Sequence, residues 1–529
     1  MDFNLIHEEW IPVKRESGKA QKIAPYQITS GPEDPIIAFN APRPDFNGAL
    51  AQFMIGLLQT TAAPEDEGEW EEWFNDPPAP EELKKKFATV EHAFNLGGDG
   101  PRFMQDYSLT DGEQKEINVL LLETPGAKAL KENTDHFIKR NSLNRECMAC
   151  CAISLFALQT NAPSGGAGHR TSLRGGGPLT TLIAGERTWQ TIWLNVIGGD
   201  EFANLPGNMS LEDDIYKFPW LAATRTSEAK TGADTFPEHA HPVQMFWATP
   251  RRIRINLNSR TQGECNLCGE SSDFNVTSFI TKNYGVNYEG AWTHPLSPHR
   301  KQKDGLILPL HANPGGLSYR NWLGLAYADN ENAVEPANVI HHYFNSARYI
   351  ESSSYKLWAF GYDMEKMKAR CWYEGMMPLI LVEKSMQERF EKETNKLILA
   401  AGEVASNTRS CVKSAWFSRP KDAKGDTSYI DKSFWSRSEP DFYKSLHHLK
   451  SLLESGEDTE LARARWHNTI CRLAMSIFDE FAASAPVEES DPKRVALARR
   501  DLARFNNGKK IVTSILELPK KENSKEDEK

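Results

Sequence analysis

The sequence predicts an α+β fold in which a large mixed α/β N-terminal domain is followed by a C-terminal four-helix bundle. In the first part of the chain, short apolar segments such as residues 179–183 and 191–196 alternate with connections rich in Gly, Pro and Asn, which is typical of a domain with many loops. From about residue 382 onward, apolar residues recur at helical spacing over long segments. We therefore place the N-terminal domain at residues 1–375, the bundle at 376–517 and a disordered tail at 518–529.

The N-terminal part of the chain predicts two strands, a helix and an acidic loop. Residues 3–6 and 10–13 are strand-like, and between residues 47 and 61 the apolar side chains follow a helical period. Residues 65–82 contain nine acidic residues, no basic residue and three prolines. This composition favours a solvated surface loop over a partner-binding segment.

Four amphipathic helices are predicted for the bundle. They begin near Val382, after Ser438, before Leu461 and at Asp491. Pro440 and Pro492 each fit the first turn of a helix, and Asp491 is a favourable N-cap. Each helix carries one apolar stripe, and four such stripes can bury one another. The tail after Pro519 has no apolar residue, so we expect it to be disordered.

Composition excludes several classes of protein. The chain has 529 residues, of which 40% are hydrophobic and 25% are charged, so it is neither mostly disordered nor collagen-like. Its net charge of -10 excludes a generally basic nucleic-acid coat, and any nucleic-acid contact must come from a local patch. No apolar run approaches the ~20 residues that span a bilayer, and the N-terminus lacks a signal peptide pattern. We therefore expect a cytoplasmic protein.

Two Cys-x-x-Cys pairs have the spacing of zinc half-sites. Cys147 and Cys150 form one pair, and Cys265 and Cys268 form the other, with Gly269 suited to the turn that follows. Four thiolates complete a closed tetrahedral shell, which stabilises structure and leaves no position for catalysis. The alternative is two incidental pairs of reduced core cysteines.

A glycine-rich segment covers residues 165–177 and contains six glycines. Glycine lets the backbone approach a ligand closely, and His169, Arg170 and Arg174 add positive charge. The segment lacks the Gly-Lys-Ser/Thr of a phosphate-binding P-loop, so contact with a nucleic-acid groove or backbone fits better than nucleotide hydrolysis. A merely flexible loop remains the alternative.

Local charge favours the nucleic-acid interpretation. Residues 136–183 contain five basic residues and one acidic residue, and Arg251, Arg252, Arg254 and Arg260 form a second cluster without acids. Each Lys or Arg that neutralises a phosphate releases condensed counterions and drives binding. No esterase, metalloprotease, kinase or Rossmann motif is present, so the residues give little support for an enzyme.

Several motifs in order resemble one family, the large subunit (CasA) of the type I-E CRISPR surveillance complex, Cascade. The resemblance covers essentially the whole chain. It rests on Phe3-Asn-Leu-Ile with Trp10-Ile-Pro-Val13, on both cysteine pairs, on Leu173-Arg-Gly-Gly176, on Trp292-Thr-His-Pro-Leu-Ser-Pro298, and on Gly361-Tyr-Asp-Met with Arg370-Cys-Trp. The family has a mixed N-terminal domain and a four-helix bundle, which agrees with the periodicity.

The resemblance implies a non-catalytic subunit that recognises the protospacer-adjacent motif (PAM) of double-stranded target DNA. Such a subunit helps to open the duplex, supports R-loop formation with the guide RNA and recruits a helicase-nuclease. Its expected partners are the other Cascade subunits, guide RNA and target DNA, with no membrane. The expected cofactor is structural Zn²⁺ on the four cysteines.

The resemblance also assigns roles to individual residues. The PAM-reading glycine loop corresponds to Gly165, Gly166, Ala167 and Gly168, and the PAM-reading lysine to Lys282 or its neighbour Asn283. A wedge falls at Glu365, Lys366 and Met367, where the family's best-known member carries an amide pair, and of these we expect Lys366 or Met367 to touch DNA. A segment that anchors the subunit to guide RNA and backbone subunits lies at Phe137, Ile138, Lys139 and Arg140.

Two other functions stay open from the residues alone. One is a stand-alone metal-dependent enzyme acting on nucleic acid, although no carboxylate-rich or histidine-rich open metal site can be assembled from the sequence. The other is a zinc-stabilised scaffold protein without DNA contact.

Overall fold

The computed structural model divides the chain into two units. It describes residues 3–133, 135, 140, 142–312, 315–346, 355–365, 368–421, 425–484 and 491–519. One unit comprises Met1–Pro314 and Asn332–Met376, and the other comprises Gly315–Glu331 and Met377–Lys529. Among the described helices, none combines the length and the apolar character needed to cross a bilayer.

The N-terminal unit mixes short strands with short helices. Its strands are β1 (Ile11–Arg15), β2 (Ala20–Ile23), β3 (Ile36–Phe39), β4 (Glu113–Glu116), β5 (Glu146–Cys147), β6 (Thr180–Ala184), β7 (Arg252–Ile255), β8 (Arg260–Glu264), β9 (Ser271–Val276), β10 (Ser278–Lys282), β11 (His299–Lys301), β12 (Ile307–Pro309), β13 (Val334–Glu335), β14 (Lys356–Glu365) and β15 (Lys368–Pro378). Its helices are α1 (Pro44–Thr61), α2 (Glu67–Asn75), α3 (Pro80–Ala88), α4 (Ala127–Glu132), α5 (Met148–Asn161), α6 (Thr188–Trp193), α7 (Gly199–Ala203), α8 (Asp214–Lys217) and α9 (Asn338–Ser346).

The strands form small three-stranded sheets. Their orders are β2-β1-β3, β4-β10-β7, β12-β11-β13, β15-β14-β6 and β5-β9-β8. Three of these sheets join remote segments of the chain, because β10 pairs with β4, β14 pairs with β6 and β9 pairs with β5. The sheets that contain β5, β6 and β10 position the candidate sites described below.

An aromatic cluster around α1 forms the core of this unit. Phe53 lies at its centre and packs edge-to-face on five rings at centroid distances from 5.1 to 5.9 Å: Trp10, Phe94, Phe103, Phe156 and Trp247. Such pairs add about 0.5–1.5 kcal/mol each beyond the area they bury. The helix predicted between residues 47 and 61 is confirmed, and burial on nearly all its sides places it inside the unit.

Two N-terminal predictions are wrong. Residues 3–6 form a turn with a single bridge at Asn4 instead of a strand. The acidic segment is not a loop, because it contains α2 and the first turn of α3. Trp70, Trp73 and Phe74 lie at helical spacing and are buried, while the carboxylates face solvent or half-buried positions. Burial of three aromatic rings outweighs the repulsion among the acids.

The second unit contains the predicted four-helix bundle. Its helices are α10 (Lys384–Trp416), α11 (Ser428–Glu454), α12 (Glu460–Ala483) and α13 (Pro492–Asn506). Asp491 caps α13 as predicted, because its side chain accepts hydrogen bonds from the amides of Lys493 and Arg494. A π-helical turn, Lys510–Ile515, follows, and Leu518, placed in the predicted tail, is buried.

Helix α11 begins ten residues earlier than predicted, and Pro440 lies inside it. An internal proline costs about 3 kcal/mol through a lost hydrogen bond and a steric clash. Ile430 and Phe434, both fully buried, lie in the additional turns and offset this cost. The helical period also places Leu461 and Phe505 on the apolar stripes of the third and fourth bundle helices, but both are exposed, at 51% and 43%.

Phe442 is the central ring of the bundle. It stacks on Tyr319 at 4.2 Å and meets Trp466 edge-to-face at 5.8 Å. We expect Phe442→Ala to lower the free energy of unfolding of this unit by about 3–5 kcal/mol, because the substitution leaves a cavity among these rings. Urea unfolding followed by circular dichroism measures the change. Phe505→Ala is the control and should cost less than about 1 kcal/mol. Equal losses in both variants would contradict the assigned packing.

Candidate nucleic-acid interface and metal centre

The glycine loop (Gly165, Gly166, Ala167 and Gly168) lies between α5 and β6. Gly166 and Ala167 are exposed at its tip. The loop is closed by a hydrogen bond of 3.0 Å from the His169 amide to the Gly166 carbonyl. Gly168 has a φ of +76°, a conformation that L side chains rarely adopt. The loop therefore presents main chain to solvent in one defined conformation.

The glycine positions of this loop differ in the space that they leave for a side chain. A Cβ atom at Gly165 would lie 2.3 Å from the Cβ of His169, and one at Gly168 would lie 2.9 Å from the Tyr284 ring. A Cβ atom at Gly166 would meet nothing within 4 Å. The fold thus explains the first two glycines, whereas the described residues place no restriction on a side chain at Gly166.

The end of β10 lies against the glycine loop. The side-chain amide of Asn283 donates to the Ala167 carbonyl at 2.8 Å, and the Tyr284 amide donates to the Gly168 carbonyl at 2.7 Å. Lys282 is exposed, and its Nζ lies 2.8 and 2.9 Å from the two carboxylate oxygens of Asp111. This contact lowers the pKa of Asp111. The structure thus brings Asn283 into contact with the loop, whereas the ammonium of the adjacent Lys282 pairs with Asp111.

The β14–β15 hairpin packs on the same glycine-rich segment near its tip. Strand β14 pairs with β6, with Leu357 opposite Ile183 and Phe360 opposite Thr180. A Cβ atom at Gly177 would lie 2.8 Å from Met364, so the glycine-rich segment packs closely on β14.

Glu365, the first residue of the predicted wedge, is the last residue of β14. Arg370 holds Asp363 at 2.7 Å and Glu365 at 2.9 Å. Lys366 and Met367 lie outside the described residues.

Arg174 does not supply charge to a ligand, contrary to the prediction. It is 3% exposed and donates to the hydroxyls of Thr180 at 3.0 Å and Ser297 at 3.1 Å, and also to Gln52. Burial among these neutral groups lowers the pKa of Arg174 to about 9. Its hydrogen bonds instead fasten the glycine-rich segment to α1 and β6.

The second arginine cluster is only partly exposed, because Arg252 is buried and Arg251 and Arg254 are half-buried. Arg252 pairs with Asp106 at 2.6 Å. Arg251 contacts His169 Nδ1 at 2.5 Å, and burial lowers the pKa of Arg251 to about 10. Arg260 lies over the ring of Phe274. Counting charges along the sequence therefore overstated the free basic surface.

Of the predicted anchoring segment, only Arg140 lies within the described residues. Phe137, Ile138 and Lys139 lie outside them. The Arg140 side chain is exposed and bonds both carboxylate oxygens of Asp135 at 2.6 Å and the side chain of Asn133 at 2.9 Å. The contact with Asp135 raises the pKa of Arg140.

The four predicted cysteines form one cluster. The Sγ atoms of Cys147, Cys150, Cys265 and Cys268 all lie within 4.8 Å of one another. The first pair lies at the junction of β5 and α5, and the second lies in the turn between β8 and β9. Because β5 and β8 both pair with β9, the sheet closes the long sequence separation between the two pairs.

The geometry of the cluster fits a tetrahedral metal ion. Metal–sulfur bonds of about 2.3 Å imply sulfur atoms roughly 3.8 Å apart, and the Sγ atoms of Cys147 and Cys268 are separated by 3.8 Å. Hydrogen bonds from Cys147 and Cys150 lower the pKa of the Cys268 thiol. Gly269, with a φ of +75°, donates its amide to the Cys265 carbonyl and closes the turn. The four cysteines can therefore hold a metal ion.

Sequence reasoning missed Ser227 and Tyr284, which also contact this region. Tyr284 has a φ of +63°, and the Ser227 amide donates to its carbonyl at 3.2 Å. The adjacent Gly285 was the only local signal of an unusual backbone, and the partners of both residues are remote in sequence.

Comparison with known proteins agrees with this architecture. The family model for CRISPR-associated protein Cse1 matches residues 4–477. CasA (Cse1) of Thermus thermophilus has 16% identity and a TM-score of 0.69, and the match covers 96% of this chain and 100% of that one. Cse1 of Thermobifida fusca has 14% identity and a TM-score of 0.71 over 98% of this chain and 99% of that one.

A chain of a CRISPR RNA-guided surveillance complex is also similar, with 13% identity and a TM-score of 0.66 over 96% of this chain and 100% of that one. These structures share the fold, and the family model spans most of the sequence. The protein therefore belongs to the Cse1 family of CRISPR-associated proteins.

Proposed function

We propose that the chain is the non-catalytic large subunit of a type I-E Cascade complex, acting in the cytoplasm with guide RNA and the other subunits. In this role it recognises the PAM of double-stranded target DNA, helps to open the duplex and form the R-loop, and recruits the helicase-nuclease. The observations that support this most are the contact between the glycine loop and the end of β10, and the packing of the glycine-rich segment on the β14–β15 hairpin near its tip. We assign DNA recognition to residues 1–375 and treat the bundle, residues 376–517, as a separate domain.

The glycine loop and β10 suit contact with a minor groove. That groove carries a degenerate pattern of donors and acceptors, so exposed main chain with a few polar side chains gives relaxed recognition. Residues 165–170 supply this main chain. The side chains of His169, Arg170, Lys282 and Asn283 supply the polar groups. The open space at Gly166 supports a close approach of a ligand from outside the chain.

The hairpin suits duplex opening. A wedge inserted between base pairs costs a few kcal/mol of unstacking, which protein contacts and guide pairing offset. We assign this role to Glu365, Lys366 and Met367, with Arg370 holding Glu365 at the base of the tip.

We assign separate roles to two further groups of residues. Phe137, Ile138, Lys139 and Arg140 contact guide RNA and the backbone subunits. Cys147, Cys150, Cys265 and Cys268 hold structural Zn²⁺. A four-thiolate shell has no open coordination position, so this ion would stabilise the fold without catalysing a reaction.

The first test of this function is Gly166→Asp in a complex reconstituted with guide RNA. The added carboxylate would repel DNA phosphates, so we expect affinity for PAM-bearing duplex to fall by on the order of tenfold or more. Binding titrations with matched and altered PAM duplexes measure the loss. Gly100→Asp, which also enters open space, is the control and should retain wild-type binding. Unchanged binding by Gly166→Asp would favour a scaffold without DNA contact.

The wedge is tested by Lys366→Ala. We expect slower R-loop formation on intact duplex, with little change on a target that is already unpaired beside the PAM, because only the intact duplex must be unstacked. Lys356→Ala, at the far end of the same hairpin, is the control. Equal slowing on both targets would contradict a wedge.

The metal centre is tested by Cys268→Ser. Elemental analysis should find one zinc ion per wild-type chain and much less in the variant, whose thermal stability should also fall. Cys371→Ser, which changes an exposed cysteine outside the cluster, should keep the ion. Wild-type protein that stays metal-free in the presence of zinc would refute the site.

A further inference from the structure

Arg170 is part of a closed set of hydrogen bonds around the glycine loop. Its Nε donates to the Ser227 hydroxyl at 2.7 Å, and its Nη2 donates to the Ser227 carbonyl at 3.1 Å. The Ser227 hydroxyl donates in turn to the Gly285 carbonyl at 2.7 Å. The Ser227 amide donates to the Tyr284 carbonyl, and the Tyr284 amide returns to the Gly168 carbonyl. Three segments that are remote in sequence are thereby joined around one end of the loop.

Tyr284 is held in an unfavourable conformation within this set. A φ of +63° is uncommon for a residue with a bulky side chain, and such conformations persist where surrounding contacts hold them. A Cβ atom at the next residue, Gly285, would lie 2.1 Å from the Pro250 carbonyl oxygen, so Pro250 packs directly on this turn. The Tyr284 ring in turn lies directly beneath Gly168.

The orientation of the Arg170 side chain argues against phosphate contact as its main role. The edge formed by Nε and Nη2, one of the two edges suited to bidentate recognition of an anion, faces Ser227. Ser227 itself is buried, with 8% of its surface exposed. Its hydroxyl both accepts from Arg170 and donates to Gly285, so removing it breaks two contacts of the set.

We infer that Arg170 is a positioning residue, which with Ser227 and Tyr284 clamps the glycine loop in the conformation that presents Gly166 to the DNA groove. This inference rests on the proposed function of the loop. It replaces a direct electrostatic role for Arg170 with a geometric one, and it assigns functional roles to Ser227 and Tyr284.

A double-mutant cycle tests the clamp. Arg170→Ala, Ser227→Ala and the double variant are assembled with guide RNA, and the ratio of affinities for PAM-bearing and altered duplexes is measured at several salt concentrations. We expect each single variant to lower this ratio by on the order of tenfold, and the double variant to lower it no further, because one set of contacts is broken in each case. The salt dependence of binding should stay as in the wild type, since no phosphate contact is lost.

Direct phosphate contact predicts a different outcome. Arg170→Ala would then reduce the slope of log affinity against log salt by about one, Ser227→Ala would have little effect, and the two would add. Arg170→Lys sharpens the distinction because it retains the charge but loses the planar fork. It should behave like Arg170→Ala if Arg170 clamps the loop, and like the wild type if Arg170 only neutralises a phosphate.

A measurement on the chain without DNA separates this inference from the proposed function. Hydrogen exchange of peptides covering Gly168 and Tyr284 should rise in both single variants, while the global unfolding temperature stays near that of the wild type. Tyr284→Gly, which tolerates the positive φ, should retain more PAM discrimination than Tyr284→Val, which does not. If Gly166→Asp abolishes discrimination while the clamp variants keep it, the clamp is refuted and the proposed function stands. If Gly166→Asp has no effect, the proposed function fails, and the exchange data still decide whether the clamp exists.

Discussion

The packing of α5 against α1 is the constraint on which both candidate sites depend. Phe156 of α5 meets Phe53 of α1 within the aromatic core, and Ala152, Ile153 and Leu155 of α5 are also buried. Cys147 and Cys150 lie at the N-terminal end of α5, and the glycine-rich segment begins shortly after its C-terminal end. A helix of 14 residues is about 21 Å long. The core thus fixes the position of the cysteine cluster and the root of the glycine loop with one rigid element.

Antiparallel strand pairing also positions the surroundings of the glycine loop. Strand β6 leaves the glycine-rich segment and pairs with β14, and β10 ends where its following residues bond the loop. Main-chain hydrogen bonds join β14 to β6 and Tyr284 to Gly168, and such bonds depend weakly on side-chain identity. This arrangement explains how relatives of 13–17% identity can share the fold.

The parts of the fold that sequence predicted are those with local, repeated signals. Helix α1 and the bundle helices follow from apolar periodicity, and the N-cap at Asp491 follows from a local pattern. The start of α11 was missed because Pro440 is a strong local signal, whereas the burial of Phe434 depends on remote neighbours. The acidic segment was misassigned for the same reason. Its many charges predicted a loop, whereas the helical spacing of three aromatic residues, which indicates a buried helix face, was given no weight.

The candidate site shows the same division. The cysteine spacing and the run of glycines are local, and the resemblance to a family linked them to Lys282 and the hairpin. The burial of Arg174 and Arg252 is a property of three-dimensional packing, and no count of charges along the chain distinguishes an inward cation from an outward one. Ser227 and Tyr284 are ordinary residues whose partners lie far along the chain.

The open space beside Gly166 has a consequence for how recognition can change in this family. Gly165 and Gly168 are required by the packing of the loop itself, so substitutions there disturb its conformation. At Gly166 no described neighbour opposes a larger residue. Under the proposed function, a new side chain at this single position is limited by the bound DNA and not by the fold, so specificity can diverge there while the architecture stays intact.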